Sequence, residues 1–388
     1  RSGTFVSNMK LKKEKNIKHE GLIHFDSGNP SADMFPIDDY KKAINMALEN
    51  DGSTIFDYDE GKGSKDLREK IVQYLKERKI NTNSENIQII SGAQQGIDIV
   101  CKGLINYSDV VFVEEPTYNG ALEVFKSRGA KVISIPMLDD GIDIGILKLK
   151  LEKIKPKLIY VMPNFQNPTG ISYSTYKKKK LIELSEEYDF YILEDDFISD
   201  FPFDSEDNLP LKSYDNNDRV IYIKSFSKIF LPGIRLGYLV APEVFNEVLQ
   251  SSKHNTDITT SSLMQRALDM YIAKGSWKNN IKELNMEYSK RYNMIKDILD
   301  NDFKDIVSYV DPRGGLNFYL TLINKEIDTK VLFRRLKKKN IYITPGNVFY
   351  TSSNEGQDSL KISFYQVNEE KIKIGMDLLR EEILAIEN

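Results

Sequence analysis

The sequence predicts an α/β protein with a mostly parallel central sheet, helices on both faces of that sheet, and a smaller α+β domain. Three observations support this prediction. The chain has 388 residues, which suits two or three domains of about 150 residues each. From about residue 38 onward, short apolar runs alternate with stretches of helical periodicity. Most of these runs are apolar at every position, as in strands that are buried on both faces.

The predicted elements follow in order along the chain. The stretch 66–78 is a predicted helix, because Leu67, Ile71 and Leu75 recur at helical spacing. The central strands are predicted at 87–90, 110–113, 132–135, 158–162, 190–193, 220–223 and 238–240. A long helix is predicted from about 271 to 299, and strands at 316–322, 341–343 and 360–364 belong to the smaller domain. We therefore divide the chain into a linker (1–20), an N-terminal arm of the small domain (21–45), a large domain (46–255) and a small C-terminal domain (256–388).

Composition argues against several classes of protein. A net charge of −4 gives no general attraction to nucleic acid, and no run approaches the ~18 apolar residues of a membrane span. The single cysteine, Cys101, cannot form an internal disulfide and no signal peptide is visible, so we expect a cytoplasmic chain. The three histidines lack metal-ligand spacing, so no metal site is expected. The lysine-rich runs 177–180 and 334–339 are predicted to lie on solvated helix faces.

Polar residues follow the predicted strands at the ends where ligands of open α/β sheets bind. After the strand 87–90 comes Ser-Gly-Ala-Gln-Gln-Gly (91–96), running into a helix predicted to start near Ile97. Small residues that open a helix expose N–H groups and the positive end of the helix dipole, which suits a phosphate. A tight strand-to-helix turn would use the same residues. Tyr118, after the next strand, could stack on an aromatic ligand or be an ordinary half-buried tyrosine.

Three further strand ends carry chemistry-bearing residues. The loop 163–170 (Pro-Asn-Phe-Gln-Asn-Pro-Thr-Gly) is rich in turn formers and side-chain amides. Glu194, Asp195 and Asp196 end an apolar strand, where a carboxylate is unfavourable unless it meets a cation. The run 225–228 (Ser-Phe-Ser-Lys) follows another strand and precedes Arg235.

Together these residue types suit pyridoxal 5'-phosphate (PLP). PLP needs a lysine amine for its aldehyde, anion binders for its phosphate, and an acid that keeps its ring nitrogen protonated. It also needs a stacking ring and a polar partner for its phenolic oxygen. Two rival chemistries fail. The Ser-x-x-Lys spacing at 225–228 lacks the partner motifs of serine–lysine hydrolases, and Gly-Lys-Gly-Ser at 61–64 lacks the spacing of a P-loop.

The segments 164–170, 194–196 and 225–237 resemble the class I/II aminotransferases of fold type I, and the order of these blocks matches over about residues 20–388. The resemblance implies that Lys228 would form the internal aldimine with PLP and that Asp195 would pair with the ring nitrogen. It implies the remaining cofactor contacts as well: Asn167 at the phenolic oxygen, Tyr118 stacked on the ring, and Ala93, Gln94, Ser225, Ser227 and Arg235 around the phosphate. Tyr58 would reach the phosphate of a neighbouring subunit, so a homodimer is implied. For the substrate, the resemblance implies Gly28 and position 361.

A finer resemblance concerns gene regulators. Residues 3–6 (Gly-Thr-Phe-Val) are similar to the last strand of GntR-type winged-helix domains, which precede an aminotransferase-like domain in MocR/GabR-type regulators. The sequence begins with Arg1 and not with methionine, so we expect contact with DNA only through an upstream domain that is missing here. The ligand would be an amino acid, an amine or PLP itself.

Two departures from the aminotransferase pattern favour a sensor. The family's carboxylate-gripping arginine is replaced by Lys361, which offers a point charge in place of a two-pronged fork. Phe197 stands where the regulators often carry a tyrosine. Two hypotheses follow: an effector domain of a MocR/GabR-type regulator, and a free-standing aminotransferase acting on an amino acid and a 2-oxo acid.

Overall fold

The structure, a computed structural model, describes residues 21–58, 61–203 and 208–387. The helices are α1 (Ile37–Asp51), α2 (Lys65–Glu77), α3 (Ala93–Leu104), α4 (Asn119–Ser127), α5 (Ile144–Leu151), α6 (Thr175–Glu187), α7 (Asn246–Asp257), α8 (Ser262–Ala273), α9 (Ser276–Asp302), α10 (Thr329–Lys338) and α11 (Glu369–Glu387). The strands are β1 (Ile23–His24), β2 (Ile87–Ile90), β3 (Val110–Glu115), β4 (Lys131–Leu138), β5 (Gly141–Ile142), β6 (Leu158–Val161), β7 (Tyr191–Asp196), β8 (Val220–Ser225), β9 (Gly237–Val240), β10 (Val307–Ser308), β11 (Asn317–Leu322), β12 (Ile341–Tyr342), β13 (Thr344–Pro345) and β14 (Ser359–Ser363).

The large sheet has the strand order β2-β9-β8-β7-β6-β3-β4-β5. Strands β8, β7, β6, β3 and β4 run parallel, and β9 is antiparallel to both of its neighbours. Every residue of β6 is buried, as the continuous apolar run predicts for a strand covered on both faces. The predicted fold class is confirmed, and each predicted central strand is present: β2 has the predicted bounds, and the ends of the other strands are shifted. The parallel arrangement brings the carboxyl ends of β3, β6, β7 and β8 to one edge of the sheet.

A second, antiparallel sheet has the order β10-β11-β14-β13. Helix α11 packs against both α9 and α10, and α10 contacts β13 of this sheet. The short strand β1 pairs in parallel with β12, with Ile23 opposite Ile341, so the start of the described chain joins elements near its end. The residue boundaries proposed for the domains stay predictions.

The long helix predicted from about 271 to 299 is present as α9, which starts later, at Ser276, because Gly275 adopts a left-handed φ of 74° between α8 and α9. Two local expectations were wrong. The helix expected near Ile97 begins earlier, at Ala93. Lys177 and Lys178 are buried and not solvated, and the Nζ of Lys178 donates to Leu209 O at 2.8 Å.

The expected exposure of the run 334–339 holds, apart from Leu336 and the half-buried Arg335, and the structure buries Cys101. Among the described residues, no helix has the length and apolar character needed to cross a membrane.

Candidate functional site

A cavity of about 310 Å³ lies between the carboxyl ends of the central strands and the small antiparallel sheet. The predicted site residues that line it are Gly28, Ala93, Gln94, Tyr118, Asn167, Asp195, Ser225, Ser227, Lys228, Arg235 and Lys361. These residues come from seven separate stretches of the chain. The fold therefore gathers them, with the exception of Tyr58, around one space.

One end of the cavity is built to receive an anion. Helix α3 begins there with Ala93, so its unpaired N–H groups and the positive end of its dipole face the space. Arg235 adds a fixed positive charge: its Nη2 donates to Ser91 O at 2.8 Å and its Nη1 to Ser227 Oγ at 3.3 Å. Gly92 has a φ of 99°, and a Cβ there would lie 2.5 Å from Arg235 Nη2. Only glycine allows the guanidinium to approach the helix start this closely.

Lys228 is the amine of the cavity. It follows β8, and its Nζ donates to the carbonyl oxygen of Gly28. Burial, with a smaller contribution from the charge of Arg235, lowers the pKa of Lys228 to about 8. The neutral form, which is the form that attacks an aldehyde, is therefore more accessible near neutral pH than in an ordinary lysine. Tyr365 covers this lysine, with its ring centre 5.6 Å from Nζ.

Asp195, at the end of β7, is the acid of the cavity and is only 3% exposed. Its Oδ2 accepts a hydrogen bond from the Tyr160 hydroxyl at 2.8 Å, whereas its Oδ1 is buried and accepts none from the described residues. Burial raises the pKa of Asp195 to about 7. A buried carboxylate oxygen without a donor, on a residue that lines a cavity, can take a donor from a ligand. The protonated ring nitrogen of PLP is such a donor, so the residues present fit this cofactor.

The neighbouring Asp196 points to the opposite face of the sheet, as adjacent strand residues must. There it accepts hydrogen bonds from Tyr222 and Ser199, both at 2.6 Å, and its nearest cation is Lys224 at 3.4 Å. Burial opposes its charge, but Lys224 and the other neighbours outweigh burial and hold the pKa of Asp196 well below its usual range.

The wall of the cavity formed by the small sheet carries Lys361, on β14. Its Nζ lies 3.5 Å from Asn167 Oδ1 and 5.3 Å from the ring centre of Phe349. Burial, and next the charge of Lys228, lower the pKa of Lys361 to about 8. On the facing side, the hydroxyl of Tyr118 donates to Gln94 Oε1 at 3.1 Å.

Two predicted or alternative residues lie elsewhere. Tyr58 is 80% exposed and borders a different cavity, beside Ser262 and Arg266. Arg313, another cation that a carboxylate could bind, lines another separate cavity. Neither reaches the site within this chain.

The structure adds residues that the sequence reasoning missed. Ser363 and Asn317 face the cavity from paired positions of β14 and β11. Ser363 stands two residues after Lys361 on one strand, so the period of two could have found it. Tyr160 could not be found this way, because its contact depends on the register between β6 and β7.

Comparison with known proteins shows which family this chain is similar to. The profile of the family "Aminotransferase class I and II" matches residues 12–379. Aromatic-amino-acid aminotransferase 1 of Thermococcus litoralis is 30% identical over 375 residues, which cover 95% of this chain and 89% of that protein. HTH-type transcriptional regulator NorG of Staphylococcus aureus is 31% identical over 356 residues, covering 91% of this chain and 79% of the regulator.

Among solved structures, the kynurenine aminotransferase of Pyrococcus horikoshii in complex with PMP matches with a TM-score of 0.89 and 30% identity. The match covers 95% of this chain and 92% of that structure. The relatives thus include both aminotransferases and a transcriptional regulator. The profile spans nearly the whole chain, and the chain belongs to the class I and II aminotransferases, whose cofactor is pyridoxal 5'-phosphate.

Proposed function

We propose that this chain is the PLP-binding effector domain of a MocR/GabR-type transcriptional regulator, acting in the cytoplasm on an amino acid, an amine or PLP itself. The observation that carries the proposal is Lys361. It lines the cavity, and the sequence resemblance implies that aminotransferases have the arginine that grips the substrate's α-carboxylate at this position. The matched regulator gives the proposal its second support.

The cofactor would be held by residues already gathered around the cavity. Lys228 would hold it covalently, and Asp195 would pair with its ring nitrogen through the orphaned Oδ1. The other contacts would come from Tyr118 and Asn167 on the ring and from Ala93, Gln94, Ser225, Ser227 and Arg235 on the phosphate. When bound, PLP withdraws electrons from the carbon that carries the amino group of an attached amine. Lys228 Nζ would accept or return the proton of that carbon.

The grip on a carboxylate ligand would be weak. An arginine supplies two parallel charge-assisted hydrogen bonds, whereas Lys361 supplies a single point charge on a flexible stem. Its pKa of about 8 means that part of this charge is lost at slightly alkaline pH. Transamination needs the α-carbon held in one orientation against the ring, and a loose grip slows it. A binding signal without fast turnover is what a sensor requires.

Assembly and DNA binding complete the proposal. In a homodimer, the exposed Tyr58 would reach the cofactor phosphate of the neighbouring subunit. DNA would be bound only through a winged-helix domain upstream. The sequence that suggests this domain, residues 3–6, lies outside the described residues.

A second candidate is a free-standing aminotransferase. The observation that favours it is the completeness of the catalytic set, because Lys228, Asp195 and Asn167 share one cavity with the anion-binding helix start. The archaeal aromatic-amino-acid aminotransferase matches at a similar level of identity.

Screening the common amino acids against the PLP-loaded protein separates the two functions. Absorbance reports ligand binding, and formation of the 2-oxo acid reports turnover. For the effector domain we expect spectral changes with one or a few ligands, slow turnover, and about tenfold tighter binding in Lys361→Arg. Fast turnover of an ordinary α-amino acid by the wild type, with no improvement in Lys361→Arg, would establish the enzyme instead.

A further inference from the structure

The carboxylate of Asp195 is held from one side only. Tyr160 donates its hydroxyl to Oδ2 at 2.8 Å, while Oδ1 accepts no hydrogen bond within the described part of the chain. Both side chains are buried, with Tyr160 at 0% and Asp195 at 3% exposure. A carboxylate is symmetric, so a single bond to one oxygen decides which oxygen is left for another donor.

The position of the Tyr160 hydroxyl is fixed by the strands and by packing. Tyr160 lies on β6 opposite Leu193 of β7, two positions before Asp195. Side chains two positions apart on a strand share a face, so the tyrosine ring runs along β7 toward the carboxylate. Its ring packs edge-on against the ring of Phe125, with the ring centres 5.8 Å apart, within an apolar cluster. The hydroxyl is therefore a rigid donor and not an adaptable surface group.

We propose that Tyr160 is a positioning residue for the cofactor, which fixes the Asp195 carboxylate with one oxygen free for the ring nitrogen and favours its charged form. The proposal rests on the role given to Asp195 under the proposed function. It concerns the protein's hold on the cofactor and is independent of whether the chain is an enzyme or a sensor.

Electrostatics supports this role. Burial raises the pKa of Asp195 to about 7, and the hydrogen bond from Tyr160 is the main influence that lowers it. The other titratable or charged groups that face this carboxylate come from the neighbouring elements: Glu114 of β3, Tyr118 before α4, Asp196 of β7 and Lys224 of β8. None of these is placed to choose between the two oxygens by a hydrogen bond to Asp195.

The chain offers a matched control. Tyr222 is also fully buried and donates to a buried carboxylate, Asp196 Oδ2, at 2.6 Å. Tyr160→Phe and Tyr222→Phe therefore each remove one buried tyrosine–aspartate hydrogen bond, on opposite faces of β7. The measurement is the dissociation constant of PLP for the cofactor-free protein as a function of pH, beside the melting temperature of each cofactor-free variant.

For Tyr160→Phe we expect PLP affinity to fall roughly tenfold or more, the range for a hydrogen bond to a charged group. Without the tyrosine, Asp195 takes up its proton more readily, so the loss of affinity at acidic pH should begin about one pH unit higher. Tyr222→Phe should lower the melting temperature at least as much and leave the affinity and its pH dependence unchanged. Equal affinities and equal pH profiles in the two variants would overturn the proposal.

A double-mutant cycle covers the case in which Tyr160→Phe perturbs the fold. If Tyr160 acts through Asp195, the substitution should change PLP affinity in the wild type and have no further effect in Asp195→Asn. Additive effects would show that the tyrosine acts by general packing, and the proposal would then be wrong. If the wild-type protein takes up no PLP at all, the cofactor site itself is wrong, which is a different result from either.

Discussion

The two faces of β7 each carry a buried aspartate, and the two aspartates have opposite surroundings. Asp195 faces the cavity with one hydrogen bond and one orphaned oxygen. Asp196, one residue later, faces the hidden side of the sheet, where Tyr222, Ser199 and Lys224 surround it. The pKa of Asp195 is raised to about 7 and that of Asp196 is held well below its usual range.

The difference shows how function and stability are divided within one strand end. A buried charge whose partners are complete belongs to the framework, because nothing is left for a ligand to bind. A buried charge whose partners are incomplete is unfavourable in the empty protein and awaits a ligand. The lysines follow the same rule. Lys224 is paired with Asp200 at 2.6 Å on the hidden side, whereas Lys228 faces the cavity.

The largest expected effect is the difference between substitutions of Lys228 and Lys224, the first in covalent PLP attachment and the second in stability. Lys228→Ala should abolish covalent attachment of PLP, measured by borohydride reduction and mass spectrometry, with little change in stability. Lys224→Ala should keep the attachment but destabilise the protein by about 3 kcal/mol, because two buried carboxylates lose their cation. Covalent attachment of PLP that survives in Lys228→Ala would show that Lys228 is not the lysine that binds the cofactor.

Substitutions of the two aspartates should likewise differ, one affecting PLP affinity and the other affecting stability, but with smaller effects than the lysine substitutions. Asp195→Asn should weaken PLP binding about hundredfold and leave urea unfolding of the cofactor-free protein unchanged or improved, because an unfavourable buried charge is removed. Asp196→Asn should leave PLP affinity nearly intact and lower the unfolding free energy by about 2 kcal/mol. The reverse result would mean that the register of β7 is wrong by one residue.

The smallest expected effect tests Lys361, a cavity lysine that lacks the close acid partner of Lys224. Its lowered pKa predicts that a carboxylate ligand binds the PLP-loaded protein more weakly at pH 8.5 than at pH 7. The sign follows from the cation, since the charged form that attracts the ligand is lost as the pH rises. Lys361→Arg should bind equally at both values. A wild type that binds equally at both values would show that another group holds the carboxylate.

Much of the fold and of the candidate site could be predicted because its signals are local in the sequence. Lys228 and Asp195 each follow an apolar run, and the carboxyl ends of parallel strands meet at one edge. The buried Lys178 was mispredicted because its run of charges gives no sign of the acceptors, such as Leu209 O, that lie far along the chain. Tyr160 needed the register between two strands, and the contact proposed for Tyr58 needs a second subunit.

The pairing of β1 with β12 has a consequence for the order in which the chain can fold during synthesis. Strands β2 to β9 occupy one continuous stretch of sequence, so the large sheet can form while the remainder is still being made. Strand β1, which contains Ile23, can pair with β12 only after Ile341 has left the ribosome. The segment that carries Gly28 therefore reaches the cavity only late in synthesis, after the lysine that receives the cofactor has been made.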